Sequence, residues 1–170
     1  MSSVILSYKG ISCVPVSYSH IESGWLDWMN NPAITQNLSA EGSYTKERLC
    51  DYLNETTSIL FLACYSDAGV YFGNLRLYKI ADEAASFGRL IGDEKYKGSG
   101  YGKLMSELAT SLLFDFFRYD TIIVGNNRSN LASAASKLKT GFRKLSESEL
   151  PLLLQGWAED ADYYIKSRAN

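Results

Sequence analysis

The chain has 170 residues, of which 46% are hydrophobic and 21% charged, and this composition predicts a soluble globular protein with a single domain, residues 1–170. Its formal net charge of −2 argues against a broad basic surface, so we expect neither nucleic acid nor a membrane as partner. The apolar run at residues 59–65 is too short to span a bilayer, and residues 1–10 do not have the pattern of a signal peptide. We therefore expect a cytoplasmic protein.

Three cysteines, Cys13, Cys50 and Cys64, are spread along the chain without a C-x-x-C pair. An odd count at these spacings predicts no disulfide framework and no metal site. We expect buried, reduced thiols rather than a catalytic cysteine.

The first third of the chain predicts one extended segment and two helices. Residues 4–16 read as extended, with a break near Gly10. A helix capped by Ser19 and ended by Pro32 follows, because apolar side chains recur at helical spacing at Ile21, Trp25, Trp28 and Met29. A second helix begins after the cap Thr45 and turns three side chains inward: Leu49, Tyr52 and Leu53.

The rest of the chain mixes strands and helices. Residues 58–92 predict an antiparallel meander of three strands. A glycine-rich loop then leads into a helix with the apolar stripe Leu104, Leu108 and Leu112. A strand at residues 120–126 precedes a short helix capped by Asn130 and closed by Gly141. Two final strands, joined by the segment PLLLQGW, complete an α/β layered domain.

The stretch KYKGSGYGK, residues 95–103, has the composition of an anion-binding loop. Glycines let the backbone come close to a ligand, and the start of a helix presents several N–H groups to an anion. The spacing fits neither the Walker A loop nor the dinucleotide fingerprint. From spacing alone, a plain strand-to-helix turn remains the alternative.

Two sequence blocks resemble the GNAT superfamily of acyl-CoA-dependent N-acyltransferases. The loop Lys97-Gly98-Ser99-Gly100-Tyr101-Gly102 is similar to that family's Q/R-x-x-G-x-G/A. A second block runs from Asn130 to Ser133 and on to Gly141-Phe142, in the family's order and separation. The stretch WLDWMNNPAI is similar to the branch of ribosomal-protein N-terminal and nucleotide-amino-sugar acetyltransferases.

The resemblance implies an α/β (α+β) GNAT fold: a mixed, largely antiparallel sheet, splayed between the fourth and fifth predicted strands and flanked by helices on both faces. It implies acetyl-CoA as the cofactor, with the pyrophosphate on the loop amides and the pantetheine in the split between strands. The cofactor-binding residues implied in this way are Leu90, Ile91, Gly92, Lys97, Gly98, Ser99, Gly100, Tyr101, Gly102, Lys103, Asn130, Ser133 and Lys137.

Two positions depart from the family pattern. Lys97 stands where the family has Gln or Arg, so it lacks the planar fork of arginine. Lys137 stands seven residues after Asn130, where many members have a tyrosine that protonates the leaving thiolate. It would either meet the 3′-phosphate or lie on the solvated helix surface.

The implied reaction is direct attack of an amine on a thioester, which requires a base, an oxyanion donor and an acid or stabiliser for the thiolate. The candidate bases are turn carboxylates: Glu83 with its neighbour Asp82, and Glu94 with its neighbour Asp93. The candidate acids are Ser133 and Tyr101, with Ser136, Tyr163 and Tyr164 as further candidates. His20 is expected to cap a helix or lie at the surface.

The acceptor is expected to be a small amine, a nucleotide-linked amino sugar or a protein N-terminus. Candidate acceptor-binding residues are Trp28, Glu41, Tyr44, Arg76 and Arg89. The alternative function is a non-catalytic acyl-CoA-binding module of the same fold, and the PLLLQGW segment would be a homodimer contact or a cover for the sheet edge.

Overall fold

The computed structural model describes residues 6–36, 38, 42–55, 57–150 and 160–169, and the strands in them form one eight-stranded sheet. The strand order is β1-β2-β3-β4-β5-β6-β8-β7, and every neighbouring pair is antiparallel except β5 and β6. The strands are β1 Leu6–Tyr8, β2 Ile11–Pro15, β3 Leu60–Tyr65, β4 Tyr71–Lys79, β5 Ala84–Ile91, β6 Thr121–Asn127, β7 Arg143–Lys144 and β8 Ala161–Ser167.

Six α-helical elements connect these strands in the part of the chain that the structure describes. They are α1 Tyr18–His20, α2 Leu26–Met29, α3 Pro32–Thr35, α4 Lys46–Glu55, α5 Tyr101–Ser111 and α6 Leu131–Lys139. A π-helical turn, Ile21–Trp25, joins α1 to α2, and a second one, Leu112–Phe116, extends α5. Short 3-10 turns occur at Glu94–Tyr96 and Glu147–Glu149. No helix in the described part of the chain is long and apolar enough to cross a bilayer.

The predicted boundaries of the first helix are wrong at both ends. Ser17, not Ser19, is the N-cap, since its backbone is extended and it shares a capping box with His20. Pro32 does not end this helix but begins α3, where its missing N–H costs nothing and the side chain of Asn31 caps the amide of Ala33.

Most of the later predictions are confirmed. Thr45 accepts a hydrogen bond from the amide of Arg48 at the start of α4, and Gly141 has a positive φ of 85° just after α6. Tyr52, predicted to point inward, is instead exposed, and its hydroxyl accepts from Arg76. The seventh strand is only two residues long, and the segment PLLLQGW lies outside the described residues.

Helices cover both faces of the sheet, which confirms the predicted fold class. On one face, α5 packs Met105 and Leu108 onto the sheet and the π-helical turn after it packs Leu113, whereas two members of the predicted stripe, Leu104 and Leu112, are only partly buried. Each fully buried side chain of this size contributes about 1.5–3 kcal/mol. On the other face, a cluster of Ile21, Trp25 and Leu49 joins the N-terminal helices to α4.

The sheet opens between β5 and β6. These parallel strands pair at Ala84 with Thr121 and at Ala85 with Ile122, and at no later position in the described chain. Both strands continue for several residues beyond this last pair. The predicted splay between the fourth and fifth strands is therefore present. The fourth and fifth predicted strands are β5 and β6 of the structure, because the first predicted extended segment forms two strands, β1 and β2.

The mouth of this split is closed on one side by the packing of Trp28 on Gly92. The indole of Trp28 lies where a Cβ on Gly92 would be, so any larger residue overlaps the ring. Trp28 also packs against Tyr71 with ring centroids 4.6 Å apart. The glycine thus fixes α2 against the end of β5.

We expect Gly92→Ala to lower the free energy of unfolding by about 1–3 kcal/mol, because the added methyl group forces the indole to move. Gly88→Ala, at a glycine within β5, is the matched control, since a Cβ there would meet no described atom within 4 Å, and we expect a change below about 0.5 kcal/mol. Urea unfolding followed by tryptophan fluorescence measures both. Equal free energies of unfolding for Gly92→Ala and Gly88→Ala would show that Trp28 does not pack on Gly92.

Candidate functional site

The glycine loop has the backbone conformation of an anion cradle. Gly98 and Gly100 have positive φ values of 74° and 94°, which disfavour any residue with a side chain. A Cβ at either position would meet no described atom within 4 Å. The loop therefore presents bare backbone to open space.

Five consecutive amides of this loop are available to a ligand. The N–H groups of residues 98–102 make no hydrogen bond to any described protein atom. The first helical bonds come just after them, from Lys103 N and Leu104 N to the carbonyl of Gly100, at 3.0 and 3.1 Å. The five donors lie at or just before the N-terminus of the eleven-residue helix α5, where the helix dipole adds to their attraction for an anion.

Two tyrosines hold the ends of the loop in place. Tyr96 and Tyr101 both pack against Phe72 of β4, with ring centroids at 5.1 and 4.8 Å, and against each other at 5.0 Å. The hydroxyl of Tyr101 donates to Asp67 in the β3–β4 turn. The structure thus directs this predicted acid away from the split and gives its ring an anchoring position.

The lysines of the loop lie at the surface. Lys97 Nζ donates to the carbonyl of Ala33 on α3 at 3.2 Å, which ties the loop to that helix. Lys103 Nζ is 3.6 Å from Glu107, one turn further along α5. Ser99 Oγ donates to the carbonyl of Tyr96. All three are exposed and beside the five unpaired amides, as expected for the rim of an anion site.

The strand edges inside the split also offer backbone groups. Beyond Ala85, the groups of β5 that point toward β6 have no ladder partner in the described chain. Leu90 packs with the N-terminal helices, and Ile91 packs with the α5 core. The amide of Gly92 donates to the carbonyl of Phe72 at 2.9 Å. A backbone hydrogen bond from pantetheine to Gly92, as predicted, would therefore have to use the carbonyl of Gly92.

Two cationic side chains, Arg89 and Lys137, are held beside the split by neutral hydrogen-bond partners. Arg89 is four residues beyond the last paired residue of β5, and Asn126 is four residues beyond that of β6. Arg89 donates to the carbonyl of Gly102 and to Ser106 on α5. Asn126 accepts from Lys137 Nζ at 2.9 Å. At about 3.3 Å per residue, Arg89 on β5 and Asn126 on β6 each lie about 13 Å along the strand beyond the last β5–β6 pair.

Lys137 is buried, with 6% of its surface exposed, so the alternative of a solvated surface lysine is wrong. Its ammonium donates to Asn126 and to Ser133 Oγ at 2.8 Å, and the ring of Tyr164 is 5.7 Å away. Burial, together with the positive charge of Arg89, lowers the pKa of Lys137 to about 7. Burial lowers the pKa of Arg89 to about 10.

The neutral groups around Lys137 are fixed by their own hydrogen bonds. The side-chain amide of Asn126 donates to the carbonyls of Asn127 and Asn130, which turns its oxygen toward the lysine. Asn130 caps α6 by accepting from the amide of Ser133 at 3.0 Å. The predicted cap is therefore confirmed, and Asn130 and Ser133 are brought together with Lys137.

The candidate bases are separated by the fold. Glu83 lies in the turn before β5, at the closed end of the split, about 23 Å along the strand from Leu90. Its neighbour Asp82 pairs with Lys79 at 2.6 Å. Glu94 lies exposed in the turn just before the glycine loop, and Asp93 caps that turn through the amide of Lys95. Of these carboxylates, Glu94 and Asp93 lie at the open end.

The opposite face of β4 carries an aromatic cluster that the sequence did not indicate. Tyr71 packs against Trp28, Tyr65 and His20, and its hydroxyl donates to Asn74 Oδ1 at 2.7 Å. The side-chain amide nitrogen of Asn74 is buried without a partner in the described chain. A β-bulge at the start of β4 shifts the side-chain alternation there, so a period-2 pattern could not place Tyr71 and Asn74 on one face.

His20 is buried rather than at the surface, and it does take part in helix capping. The amide of Ser17 donates to Nδ1 at 2.9 Å, so the neutral ring carries its proton on Nε2, 3.0 Å from the hydroxyl of Tyr65. Desolvation by burial lowers the pKa of His20. The ring is held as a structural, uncharged group beside Tyr71.

The predicted acceptor residues fall into different places. Trp28 and Tyr44 both pack with the N-terminal helices, and Arg48 stacks on Tyr44 at 4.1 Å. Arg76 is tied to Ser58 and Tyr52 on the same face. Arg89 points to the opposite, α5 side of the sheet, which separates it from the other predicted acceptor residues. Glu41 lies outside the described residues.

Residues 14–143 match the family model of the acetyltransferase (GNAT) domain. The chain belongs to the GNAT acetyltransferase family. Among curated protein sequences, no match to this GNAT chain is found.

Solved structures share the GNAT fold at low sequence identity. A GNAT-family acetyltransferase from Bacillus anthracis is similar over 95% of this chain and 97% of its own, with a TM-score of 0.78 and 15% identity. A spermidine N-acetyltransferase from Vibrio cholerae, in complex with CoA and spermine, is similar over 93% of this chain and 95% of its own, with a TM-score of 0.77 and 13% identity. The aminoglycoside acetyltransferase AAC(6')-Ib in complex with coenzyme A is similar over 93% of this chain and 95% of its own, with a TM-score of 0.74 and 16% sequence identity.

The GNAT family uses acetyl-CoA, and the residues present fit that cofactor. The loop offers amides without acceptors for the pyrophosphate, and the split offers strand edges without partners for an extended chain with amide groups. The described residues contain no cluster of three or more His, Cys, Asp or Glu placed to hold a metal ion.

We expect the buried Lys137 to make stability depend on pH. Its folded-state pKa of about 7 is below the unfolded value of about 10.4, so between these values the unfolded chain binds more protons than the folded chain. The free energy of unfolding should therefore rise from pH 7 to pH 9, by at most about 1.4 kcal/mol per pH unit from this group.

Urea unfolding at pH 7 and pH 9 checks this, with Lys137→Met as the variant that lacks the titrating group. Lys139→Met is the matched control, because Lys139 is exposed on the same helix. We expect the control to keep the wild-type rise and Lys137→Met to lose it. The same rise in all three proteins would contradict a depressed pKa at Lys137.

Proposed function

We propose that this protein transfers the acetyl group of acetyl-CoA to a primary amine by direct attack of the amine on the thioester. The observation that carries the proposal is the row of five unpaired amides, residues 98–102, at the N-terminus of α5. Such a row binds a pyrophosphate without needing a metal or a Walker lysine. The open strand edges beside it suit pantetheine, whose two amide groups can extend the ladder of β5.

The reaction needs groups on both faces of the sheet. The open edges of β5 and β6 would hold the thioester of acetyl-CoA, and a β5 amide that faces the split would stabilise the developing oxyanion. The acceptor enters from the face of Trp28, Tyr71 and Asn74, where the unpaired amide of Asn74 offers a hydrogen bond. A base at the open end, Glu94 or water held near it, removes the proton of the ammonium.

The proposed acceptor is a small amine, a nucleotide-linked amino sugar or a protein N-terminus. The amines named with similar folds, spermine and kanamycin, are polycations. The described acceptor face here is built mainly from aromatic rings and neutral polar groups. This favours acceptors with a planar or apolar part for the rings to stack on.

An amine panel tests the proposal. The purified protein is incubated with acetyl-CoA and, in turn, spermine, kanamycin, a peptide with a free N-terminus and a nucleotide-linked amino sugar. Thiol release and the mass of the acetylated product are measured. A product acetylated on nitrogen with equal thiol release supports the proposal. Binding of acetyl-CoA without turnover of any amine would support a non-catalytic binding module instead.

A charge reversal at the loop tests the pyrophosphate site. We expect Ser99→Asp to weaken coenzyme A binding at least about fivefold, since like charges 4 Å apart cost about 1 kcal/mol in water and about 4 kcal/mol near a protein surface. The fold should be kept, because a carboxylate is favourable at a helix N-terminus.

Calorimetric titration with coenzyme A measures this, and Ser7→Asp is the control. Ser7 is an exposed serine on the edge strand β1, at the other end of the sheet. Unchanged affinity in a folded Ser99→Asp protein would rule out the loop as the pyrophosphate site.

A further inference from the structure

The face of the sheet opposite α5 carries an arginine whose charge has no carboxylate partner. Arg76 of β4 is half-buried, and none of the ion pairs found among the described residues includes it. Its Nε donates to Ser58 Oγ at 2.7 Å, and a second nitrogen donates to the hydroxyl of Tyr52. These bonds use two of the five N–H groups of a guanidinium, and both acceptors are neutral. The remaining donors and the charge are left for a ligand.

The pairing of β4 with β5 places Arg76 next to a glycine. The two strands pair along their length without a register shift, and Arg76 lies directly opposite Gly88. Successive side chains of a strand point to opposite faces. Arg89 reaches Ser106 on α5, so Gly88 and its partner Arg76 lie on the other face of the sheet.

This face is open at the split. Gly88 of β5 and Gly125 of β6 each lie three residues beyond the last β5–β6 pair, one on either side of the split, and both are exposed. Their chain neighbours Phe87 and Val124 are buried in the core beneath α5, so both glycines face the other way. A Cβ on Gly88 would meet no described atom within 4 Å. The two glycines thus leave an opening into the split, and Arg76 lies beside it.

Two buried polar atoms on the same face also lack partners. Asn74 Nδ2 and Ser86 Oγ make no hydrogen bond in the described chain. Asn74 is two residues before Arg76 on β4, and Ser86 is two residues before Gly88 on β5, so they flank the Arg76–Gly88 pair from opposite ends. Buried polar atoms are nearly always paired. A strip of donors around one cation fits a ligand that brings oxyanion oxygens.

We propose that the acceptor amine also carries an oxyanion, a carboxylate or a phosphate, which binds Arg76 while the amine enters the split beside Gly88. This rests on the proposed function, because it places the acceptor of that reaction. Strands lie about 4.8 Å apart, and β5 separates Arg76 from the split, so the amine and the oxyanion of the ligand lie about 5–10 Å apart.

The surroundings of Arg76 suit an oxyanion and disfavour a polycation. A guanidinium binds two oxygens of a carboxylate or a phosphate side by side. The rings of Tyr52 and Tyr78 lie 5.2 and 5.4 Å from its central carbon and restrict its movement. The same charge repels amines such as spermine and kanamycin, which are bound in two of the similar structures.

A set of matched amines tests the proposal. Para-aminomethylbenzoate and para-aminomethylphenyl phosphate hold an amine and an oxyanion on one rigid ring, para-aminomethylbenzamide is the neutral analogue, and para-xylylenediamine is the dication. Calorimetric titration into the complex of the protein with coenzyme A measures their binding without turnover. We expect one or both oxyanion ligands to bind about tenfold more tightly than the benzamide, because a charge-assisted pair forms with Arg76. The dication should bind more weakly than the benzamide.

Three variants separate binding by Arg76 from a structural role. Arg76→Gln should bind the oxyanion ligands and the benzamide equally, within about twofold. Lys79→Gln is the matched control, because it removes the same charge from an exposed position of β4, and it should keep the wild-type preference. Tyr52→Phe removes the hydroxyl that Arg76 holds but keeps the guanidinium, so it should keep the preference too. If Arg76 only tied α4 to the sheet, neither Arg76→Gln nor Tyr52→Phe would change the ratio of affinities.

The outcomes distinguish this proposal from the proposed function. A coenzyme A complex that binds neither oxyanion ligand, or binds them no better than the benzamide, overturns the oxyanion assignment and leaves acetyl transfer standing. A preference that persists in Arg76→Gln overturns the role of Arg76. Wild-type protein that does not bind coenzyme A would overturn the proposed function itself, and this assignment with it.

Discussion

The structure depends on one interruption: the pairing of β5 and β6 stops after Ala85 and Ile122. A continuous sheet would have satisfied the backbone of both strands and left no room for a ligand. Because the strands diverge, polar edges lie open in the interior of the domain, with α5 and its unpaired amides on one side and the aromatic cluster on the other. Every group assigned here to cofactor, acceptor or proton transfer is placed by its position relative to this split.

The second feature of the site is that its charges are held by neutral partners. Asn126, Ser133, Ser106 and the carbonyl of Gly102 fix Arg89 and Lys137 without neutralising them. A carboxylate at the same place would raise the pKa of Lys137 and compete with an incoming anion. The neutral cradle therefore keeps the lysine both buried and able to exchange its proton.

The sequence predicted the fold and the position of the glycine loop better than the surroundings of individual polar side chains. The three-strand meander, the Asn130 cap and the glycine loop are local patterns of turn and cap residues, so they can be read from short stretches. Contacts across the sheet cannot be read in this way. The surroundings of Lys137 are set by Asn126 and Arg89, which come from two other strands of the sheet. The face on which Tyr71 lies is set by a β-bulge.

Local reading also failed where two signals had more than one meaning. Proline at position 32 predicts a helix end, but proline is equally suited to a first helical turn, and Pro32 begins α3. Tyr101 is a candidate acid by sequence, and in the structure its hydroxyl donates to Asp67 while its ring anchors the loop on Phe72. In both cases the tertiary partner decides the role.

Hydrogen–deuterium exchange with and without acetyl-CoA tests the central claim most directly. If the cofactor lies in the split, amides in residues 86–91 and 98–102 should exchange more slowly when it is bound, while β1 and β2 should be unchanged. Protection elsewhere in the chain, with both segments unaffected at saturating acetyl-CoA, would contradict the account.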